Sequence, residues 1–248
     1  MSGTMIITGS GRGIGAAIAQ LAAQRGYSVC VNYANRSERA DQVVATIREQ
    51  GGKAITVQAD VSDKTQVKAL FDTAIEKLGP LVALVNNAGI TGNIGRFVDR
   101  EIESLRRTLD INILGTMLCS QEAIRLMSTT SGNNGGSIIN ISSQAVRLGS
   151  PDEYVHYAAS KAAVETFTIG LAKEITHEGI RVNCVSPGII ETEIHAEGGD
   201  AMRVQRMASQ VPMRRAGLPS EVAAAVLWLV SDEASYCSGS ILSVGGGR

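Results

Sequence analysis

Thr8-Gly9-Ser10-Gly11-Arg12-Gly13-Ile14-Gly15 joins the first apolar run of the chain, Met5–Thr8, to its first amphipathic stretch, Ile14–Arg25. Glycines at this density let a backbone turn sharply and approach a ligand closely, and a helix starting at Ile14 presents free N–H groups and partial positive charge to an anion. The stretch therefore reads as a strand-to-helix turn that holds a pyrophosphate. The G-x-G-x-x-G/A template fits it from Gly11 to Ala16. Further short runs rich in Val and Ile follow at Ser28–Tyr33, Ala54–Gln58, Val82–Asn86, Ser137–Ile141, Arg181–Val185 and Ile241–Val244. They are apolar on both faces, the pattern of parallel strands covered from both sides. Helical periodicity fills the intervals at Ser37–Gln50, Lys64–Leu78, Ile102–Met127, Val155–His177 and Ser220–Val230. The alternation predicts one α/β domain over residues 1–248, a doubly wound parallel sheet of about seven strands with helices on both faces. Two stretches break the rhythm: the polar loop Ser128–Gly136, and Ile189–Pro212, which is long enough to act as a lid.

With 23 Lys+Arg against 24 Asp+Glu the formal charge is -1, so no electrostatic case exists for nucleic acid or an anionic membrane. Cys30, Cys119, Cys184 and Cys237 form no C-x-x-C pair and are expected to be free thiols in a reducing cytosol, with no metal site. No secretory leader precedes Met5 and no apolar run reaches bilayer length, so a soluble cytoplasmic protein is expected.

The end of the second strand bears on the nucleotide. A carboxylate there would bond a ribose 2′-hydroxyl and repel a 2′-phosphate. The strand runs Val29-Cys30-Val31-Asn32-Tyr33 and continues Ala34-Asn35-Arg36-Ser37, with no acid at the tip. Arg12 and Arg36 are available for a phosphate instead, so NADP(H) is the expected cofactor. Asp60-Val61, after the third strand, either borders adenine or belongs to a helix start capped by Ser62 or Asp63.

Tyr157 and Lys161 lie four residues apart on one helical face. A free phenol has a pKa of about 10, and a neighbouring ammonium is expected to lower it towards a value useful for proton transfer. Ser143 follows the Ser137–Ile141 strand, at the strand end where ligand crevices open. Together with Asp60, Asn86-Asn87-Ala88-Gly89, Asn112, Asn183, Pro187-Gly188 and Thr192, in that order, these residues make the chain resemble the short-chain dehydrogenase/reductase superfamily, in its ketoreductase and sugar-dehydrogenase-like branch, along essentially its whole length.

The resemblance implies a Rossmann-type fold and a set of roles. Tyr157 would be general acid in reduction and base in oxidation. Lys161 would bind the nicotinamide ribose and lower the tyrosine pKa, and Ser143 would orient the substrate oxygen. Asn112 would hold a water linking Lys161 to solvent. Gly9, Gly11, Gly13, Ile14 and Gly15 would cradle the cofactor, Asn87, Ala88 and Gly89 would border it, and Pro187, Gly188, Ile190 and Thr192 would lie at the nicotinamide. A homotetramer or homodimer through the helices 102–127 and 155–177 is implied, with the last strand and Gly245-Gly246-Gly247 offering a second interface. The substrate would be a small carbonyl compound or alcohol, a sugar or polyol being one form. A non-catalytic dinucleotide sensor is the reading from another class.

Ser143 precedes Tyr157 by fourteen positions, one more than is common in that family, and the extra residue is assigned to the loop Leu148–His156. Neighbouring strand residues face opposite ways, so only one of Ser142 and Ser143 can face a cleft; Ser143 is chosen by the family pattern. Tyr154, without a lysine four residues on, reads as a rim aromatic, and His156 as a packed or solvated side chain. His195, Glu191 and Glu193 read as exposed loop residues. Met202, Met207 and Met213 read as lid packing or as the lining of an adaptable pocket, and Trp228 as core.

Overall fold

The computed structural model describes residues 3–193, 199–200 and 202–248. The expectation for His195 lies outside them. Seven parallel strands, β1 (Thr4–Ile7), β2 (Ser28–Tyr33), β3 (Ala54–Gln58), β4 (Leu81–Asn86), β5 (Gly136–Ile141), β6 (Ile180–Pro187) and β7 (Ile241–Val244), form one sheet in the order β3-β2-β1-β4-β5-β6-β7. The chain winds outward from β1 through β2 to β3, then returns to β4 on the other side of β1. The order reverses between β1 and β4, and a crevice opens there beyond the carboxyl ends of the strands.

Alternation along each strand builds two cores. Met5, Ile7, Val29 and Val31 face helices α1 (Gly13–Gln24) and α2 (Ser37–Glu49), with Ile18, Ala22 and Ile47 buried between the layers, and Val85, Ile139 and Val185 continue this face towards the helix over Pro219–Val230. Ile6, Cys30, Leu84, Ile138 and Val182 face the opposite way; α3 (Lys64–Leu78), where Leu70 and Phe71 are buried, covers β1 and β2 on this side, and the helices over Thr116–Met127 and Val155–Ile175 cover β4 to β6. Continuous Val/Ile strands thus arise because both faces are covered. The Asp63 carboxylate starts α3 by accepting the Thr65 and Gln66 N–H groups at 2.8 and 3.1 Å.

The stretch expected as one helix over Ile102–Met127 is interrupted. It comprises α4 (Ile102–Leu109), a π-helical turn over Asp110–Gly115, and α5 (Thr116–Met127). Such turns insert a residue into a helix and recur at functional sites; this one contains the fully buried Asn112. A short helix, α6 (Ala145–Leu148), follows β5 and leads into the long α7 (Val155–Ile175). The expected loop Ile189–Pro212 holds a further helix, α8 (Arg203–Ala208), and is pinned by Ile190 pairing with Gly217. The final helix, α9 (Pro219–Val230), packs on the α1 side of the sheet. Trp228, expected in the core, is 37% exposed on it, because Val226, Leu227, Leu229 and Val230 take the inward face. Among the described residues no helix is long and apolar enough to cross a membrane.

Candidate active site

Thr8 organises the glycine turn. Its hydroxyl accepts the N–H groups of Asn87 and Ala88, both at 3.0 Å, and the Asn87 Nδ2 donates to the Thr8 and Gly9 carbonyls at 2.9 and 3.0 Å. From the other side, the Asn32 Oδ1 accepts the Gly9 N–H at 3.1 Å while its Nδ2 donates to the Ala59 carbonyl at 3.0 Å. The strand ends of β1, β2 and β4 are thereby locked together. Gly9 and Gly13 have φ of +60 and +54, and a Cβ on Gly15 would lie 2.6 Å from Asn87 Nδ2 and 2.7 Å from Ser10 Cα. The turn is thus a backbone cradle that only glycine permits, open to a phosphate at the start of α1. Gly89 serves the same end further in, where a Cβ would sit 3.2 Å from Lys161 Nζ and 3.3 Å from Asn112 Oδ1. These features fit a dinucleotide.

Beyond β5, β6 and the glycine turn lies a cavity of about 420 Å³, whose walls include Ile14, Asn87, Gly89, Ser143, Tyr157, Lys161, Pro187, Gly188, Ile190 and Thr192. The two serines diverge as strand alternation requires. Ser142 is buried, its hydroxyl donating to Glu165 Oε1 at 2.8 Å, whereas Ser143 lines the cavity with Tyr157, close enough to draw the phenol's pKa down. Lys161, buried beneath them, donates from Nζ to the Ile141 carbonyl at 2.8 Å, with Nζ 5.8 Å from the centre of the Tyr157 ring.

The electrostatics differ from the expectation that Lys161 lowers the tyrosine pKa. Burial pushes the Tyr157 phenol above its ordinary value, and Ser143 only partly opposes this. Burial also draws Lys161 down to about 8, so the ammonium is itself held weakly. The phenol is therefore protonated at neutral pH, the state needed to donate a proton. Below about pH 8 Lys161 is charged and supports the nascent phenolate; above it that support fades. Reduction by the free enzyme is accordingly expected to show kcat/KM falling through an apparent pKa of about 8, read from a pH–rate profile. A profile flat across neutral and mildly alkaline pH would contradict this.

Asn112 does not line the cavity. Its Oδ1 accepts the Ile90 N–H, and its Nδ2 donates to the Ile90 carbonyl and the Ser160 hydroxyl, all at 2.9 Å. The side chain is committed to bracing the segment after β4 against α7. Asp60 is likewise occupied: its carboxylate accepts from the Ser62 N–H and hydroxyl and pairs with Arg107 at 2.6 Å, which holds it below the usual carboxylate range. Its neighbour Val61 is buried against Gly115, where a Cβ would meet it at 2.7 Å. Asp63, not Ser62, caps α3.

A second depression, bordered by Gly11, Arg36, Glu38, Arg39 and Glu193, lies on the α2 side of the glycine turn. Arg36 was expected there; Arg39 was not, although its place three residues on along the first turn of α2 puts it on the same face. Glu193, expected to be merely solvated, pairs with Arg39 and lies 3.6 Å from Arg12 Nη1. It ties the segment after β6 to the glycine turn, where the Thr192 methyl already approaches Gly13. His156 is packed: it is buried, and a Cβ on Gly92 would lie 3.0 Å from its Nε2. Met202 and Met213, expected as lid packing, are exposed.

A strand-order reversal, a glycine cradle and a Ser–Tyr–Lys cluster in one crevice define a nucleotide-dependent oxidoreductase architecture. Residues 9–248 match the family model described as enoyl-(acyl carrier protein) reductase. The chain is 49% identical over 243 residues to the uncharacterized oxidoreductase YgfF of Escherichia coli K12, covering 98% of each. It is 39% identical over 244 residues to glucose 1-dehydrogenase 2 of Bacillus subtilis, covering 98% of this chain and 93% of that one. A blue fluorescent protein from a metagenomic library, solved in complex with NADPH, superimposes with a TM-score of 0.90 at 32% identity, covering 99% of this chain and 97% of that one. The chain belongs to the short-chain dehydrogenase/reductase superfamily of oxidoreductases.

Proposed function

We propose that the protein is an NADP(H)-dependent oxidoreductase that interconverts a small carbonyl compound and its secondary alcohol. The observation carrying this reading is that Ser143 and Tyr157 share the wall of one cavity, with Lys161 Nζ 5.8 Å from the centre of the Tyr157 ring. NADPH, when bound, supplies hydride to the carbonyl carbon. Tyr157 gives the proton to the carbonyl oxygen, and Ser143 hydrogen-bonds that oxygen and fixes its distance from the phenol. Lys161 holds the nicotinamide ribose and stabilises the phenolate left behind. In oxidation the same phenolate takes the proton back. Asn112 acts here as a positioning residue, keeping Ile90 and α7 in register behind Lys161. Gly9, Gly11, Arg12, Gly13, Ile14 and Gly15 hold the pyrophosphate. Asp60, Val61, Asn87, Ala88 and Gly89 border the nucleoside, and Pro187, Gly188, Ile190 and Thr192 meet the nicotinamide. Residues 189–212 act as a lid over the substrate.

For the 2′-phosphate, Arg36 and Arg39 are the groups in reach beside Gly11, and the tip of β2 carries Asn32, engaged with Gly9, in place of an acid. Glu193 holds Arg39 in the absence of the phosphate and yields to it. Exchanging Arg36 and Arg39 together for alanine is expected to weaken NADPH binding about ten- to a hundredfold and leave NADH unchanged, since a charge-assisted bond contributes about 1.5–3 kcal/mol. Titration of both nucleotides into wild type and variant checks it. Equal losses for NADPH and NADH would mean that these arginines serve the fold.

A panel of aldehydes, ketones and quinones with NADPH and with NADH tests the reading as a whole, and glucose with NADP⁺ covers sugar oxidation, the activity named for the Bacillus subtilis relative. Tight NADPH binding with no turnover in either direction would favour a sensor. The protein is proposed to work in the cytoplasm as a homotetramer or homodimer. Ile102 and Leu109 on α4 and Ile169 on α7 leave apolar surface exposed on the two helices expected to pair.

A further inference from the structure

The wall of the cavity beside Tyr157 contains polar groups that the proposed reaction does not use. Tyr154 is only 4% exposed, yet its hydroxyl has no hydrogen-bond partner among the described residues. Its ring meets that of Tyr157 edge-on, 6.2 Å between centroids and 69° between planes. The guanidinium of Arg203 lies over the outer face, its central carbon 5.2 Å from the Tyr154 ring centre. Arg203, on α8, is 6% exposed; Glu153 grips it through two hydrogen bonds, one of 2.6 Å from Nη2, while its Nε has no partner. Tyr154, Arg203, Glu153 and Arg248 all line the same cavity as Tyr157 and Ser143.

A buried hydroxyl or guanidinium N–H left without an acceptor is costly, and here two such groups sit side by side in the wall of a cavity. A phenol hydroxyl and two guanidiniums present mainly donors. Among the described residues that line the cavity Glu153 is the one carboxylate, and Asp200, which also acts on Tyr154 and Arg203, is taken up by Arg206. Arg248 is drawn below the ordinary arginine range by burial and then by Arg203, so a further anion here would relieve both desolvation and repulsion. Guanidinium matches carboxylate geometry better than it matches a neutral hydroxyl.

We propose that Tyr154 and Arg203 form a second polar subsite of the cavity, and that it takes the carboxylate of the substrate, making the substrate an oxo acid or the corresponding hydroxy acid. This rests on Tyr157 as the proton donor. Tyr154 donates its hydroxyl to one carboxylate oxygen, and Arg203, its fork already aligned by Glu153, donates from Nε to the other.

The test is a series of oxo acids with the ketone at successive positions from the carboxylate, each assayed with NADPH beside its methyl ester. At least one acid is expected to exceed its ester in kcat/KM by about ten- to a hundredfold. Tyr154→Phe should raise KM for that acid about tenfold with kcat little changed, and leave the ester unaffected. It should also leave the thermal midpoint unchanged or higher, because the deleted hydroxyl bonds to nothing among the described residues. A purely structural role would instead lower the midpoint and slow acid and ester alike. Arg203→Lys, which keeps the charge facing Glu153 but loses the fork, should weaken the acid selectively as well. Equal rates for acids and esters, with Tyr157→Phe abolishing both, would overturn the subsite and leave the oxidoreductase reading intact. If no member turns over, calorimetric titration of the same acids into NADP⁺-loaded protein decides. Binding lost in Tyr154→Phe supports the subsite, and no binding of any acid overturns it.

Discussion

Replacing Tyr157 with phenylalanine is expected to lower kcat for carbonyl reduction by about two to four orders of magnitude, the usual range for removing a positioned general acid. NADPH should still bind, because the ring and the helix that carries it remain. The substitution deletes one hydroxyl at the cavity wall and leaves Ser143 in place. Burial keeps that hydroxyl protonated in the free protein, so the lost group is a proton donor already in its working state. Steady-state rates with a turned-over ketone, set beside NADPH binding measured by fluorescence, separate the two effects. A variant that reduces ketones at wild-type rates would move the proton donor elsewhere.

The second large effect concerns the cradle. In Gly15→Ala the new Cβ would lie 2.7 Å from Ser10 Cα and 2.8 Å from the Gly9 oxygen, both backbone atoms, and 2.6 Å from Asn87 Nδ2. A flexible side chain could yield, but the turn itself must move. The Asn87 bonds to the Thr8 and Gly9 carbonyls then break as the turn separates from the end of β4. Overpacking of this kind costs about 1–3 kcal/mol, so a lower thermal midpoint and a roughly five- to hundredfold loss of NADPH affinity are expected. The same substitution at Gly170, within α7 with nothing inside 4 Å, should stabilise by about 0.5–1 kcal/mol through helix propensity. Opposite signs for one chemical change would tie the first effect to geometry. A Gly15→Ala variant that binds NADPH as well as wild type would show that the turn opens without penalty.

The layout of the fold was readable because its strands are apolar on both faces and its helices are not. Ser28–Tyr33, Ala54–Gln58, Lys64–Leu78 and Ile241–Val244 have the bounds their patterns suggest. The π-helical turn at Asp110–Gly115 was hidden because apolar periodicity runs through it unbroken, while the cause is tertiary: Asn112 reaches across to Ile90 and Ser160. Helix α8 is hard to read from sequence because Arg203–Ala208 is under two turns long and half polar. Trp228 shows the limit of hydrophobicity as a guide, since an apolar residue on an apolar helix still occupies one particular face.

At the site, residues that meet through one strand or one helical turn were legible in sequence: the glycine turn, Tyr157 with Lys161, and Ser143 at the end of β5. Groups joined only by the fold were not. Asn32 on β2 meets Gly9 in the turn after β1, Glu193 after β6 reaches Arg39 on α2, and Arg203 comes to rest over Tyr154 from a distant helix. The balance of effects at Tyr157 is only partly legible for a similar reason. Spacing reveals that an ammonium is near, but not that burial weighs more heavily on both groups.

Whether hydride passes directly from nicotinamide to a carbonyl carbon in the cavity that Ser143, Tyr157 and Lys161 share is best asked with NADPH deuterated at the transferable position. Turnover of a reduced ketone should place one deuterium on the carbinol carbon of the product, seen by mass spectrometry, with label transfer abolished in Tyr157→Phe. A product free of deuterium, or NADPH bound tightly with its label retained against every carbonyl offered, would contradict it.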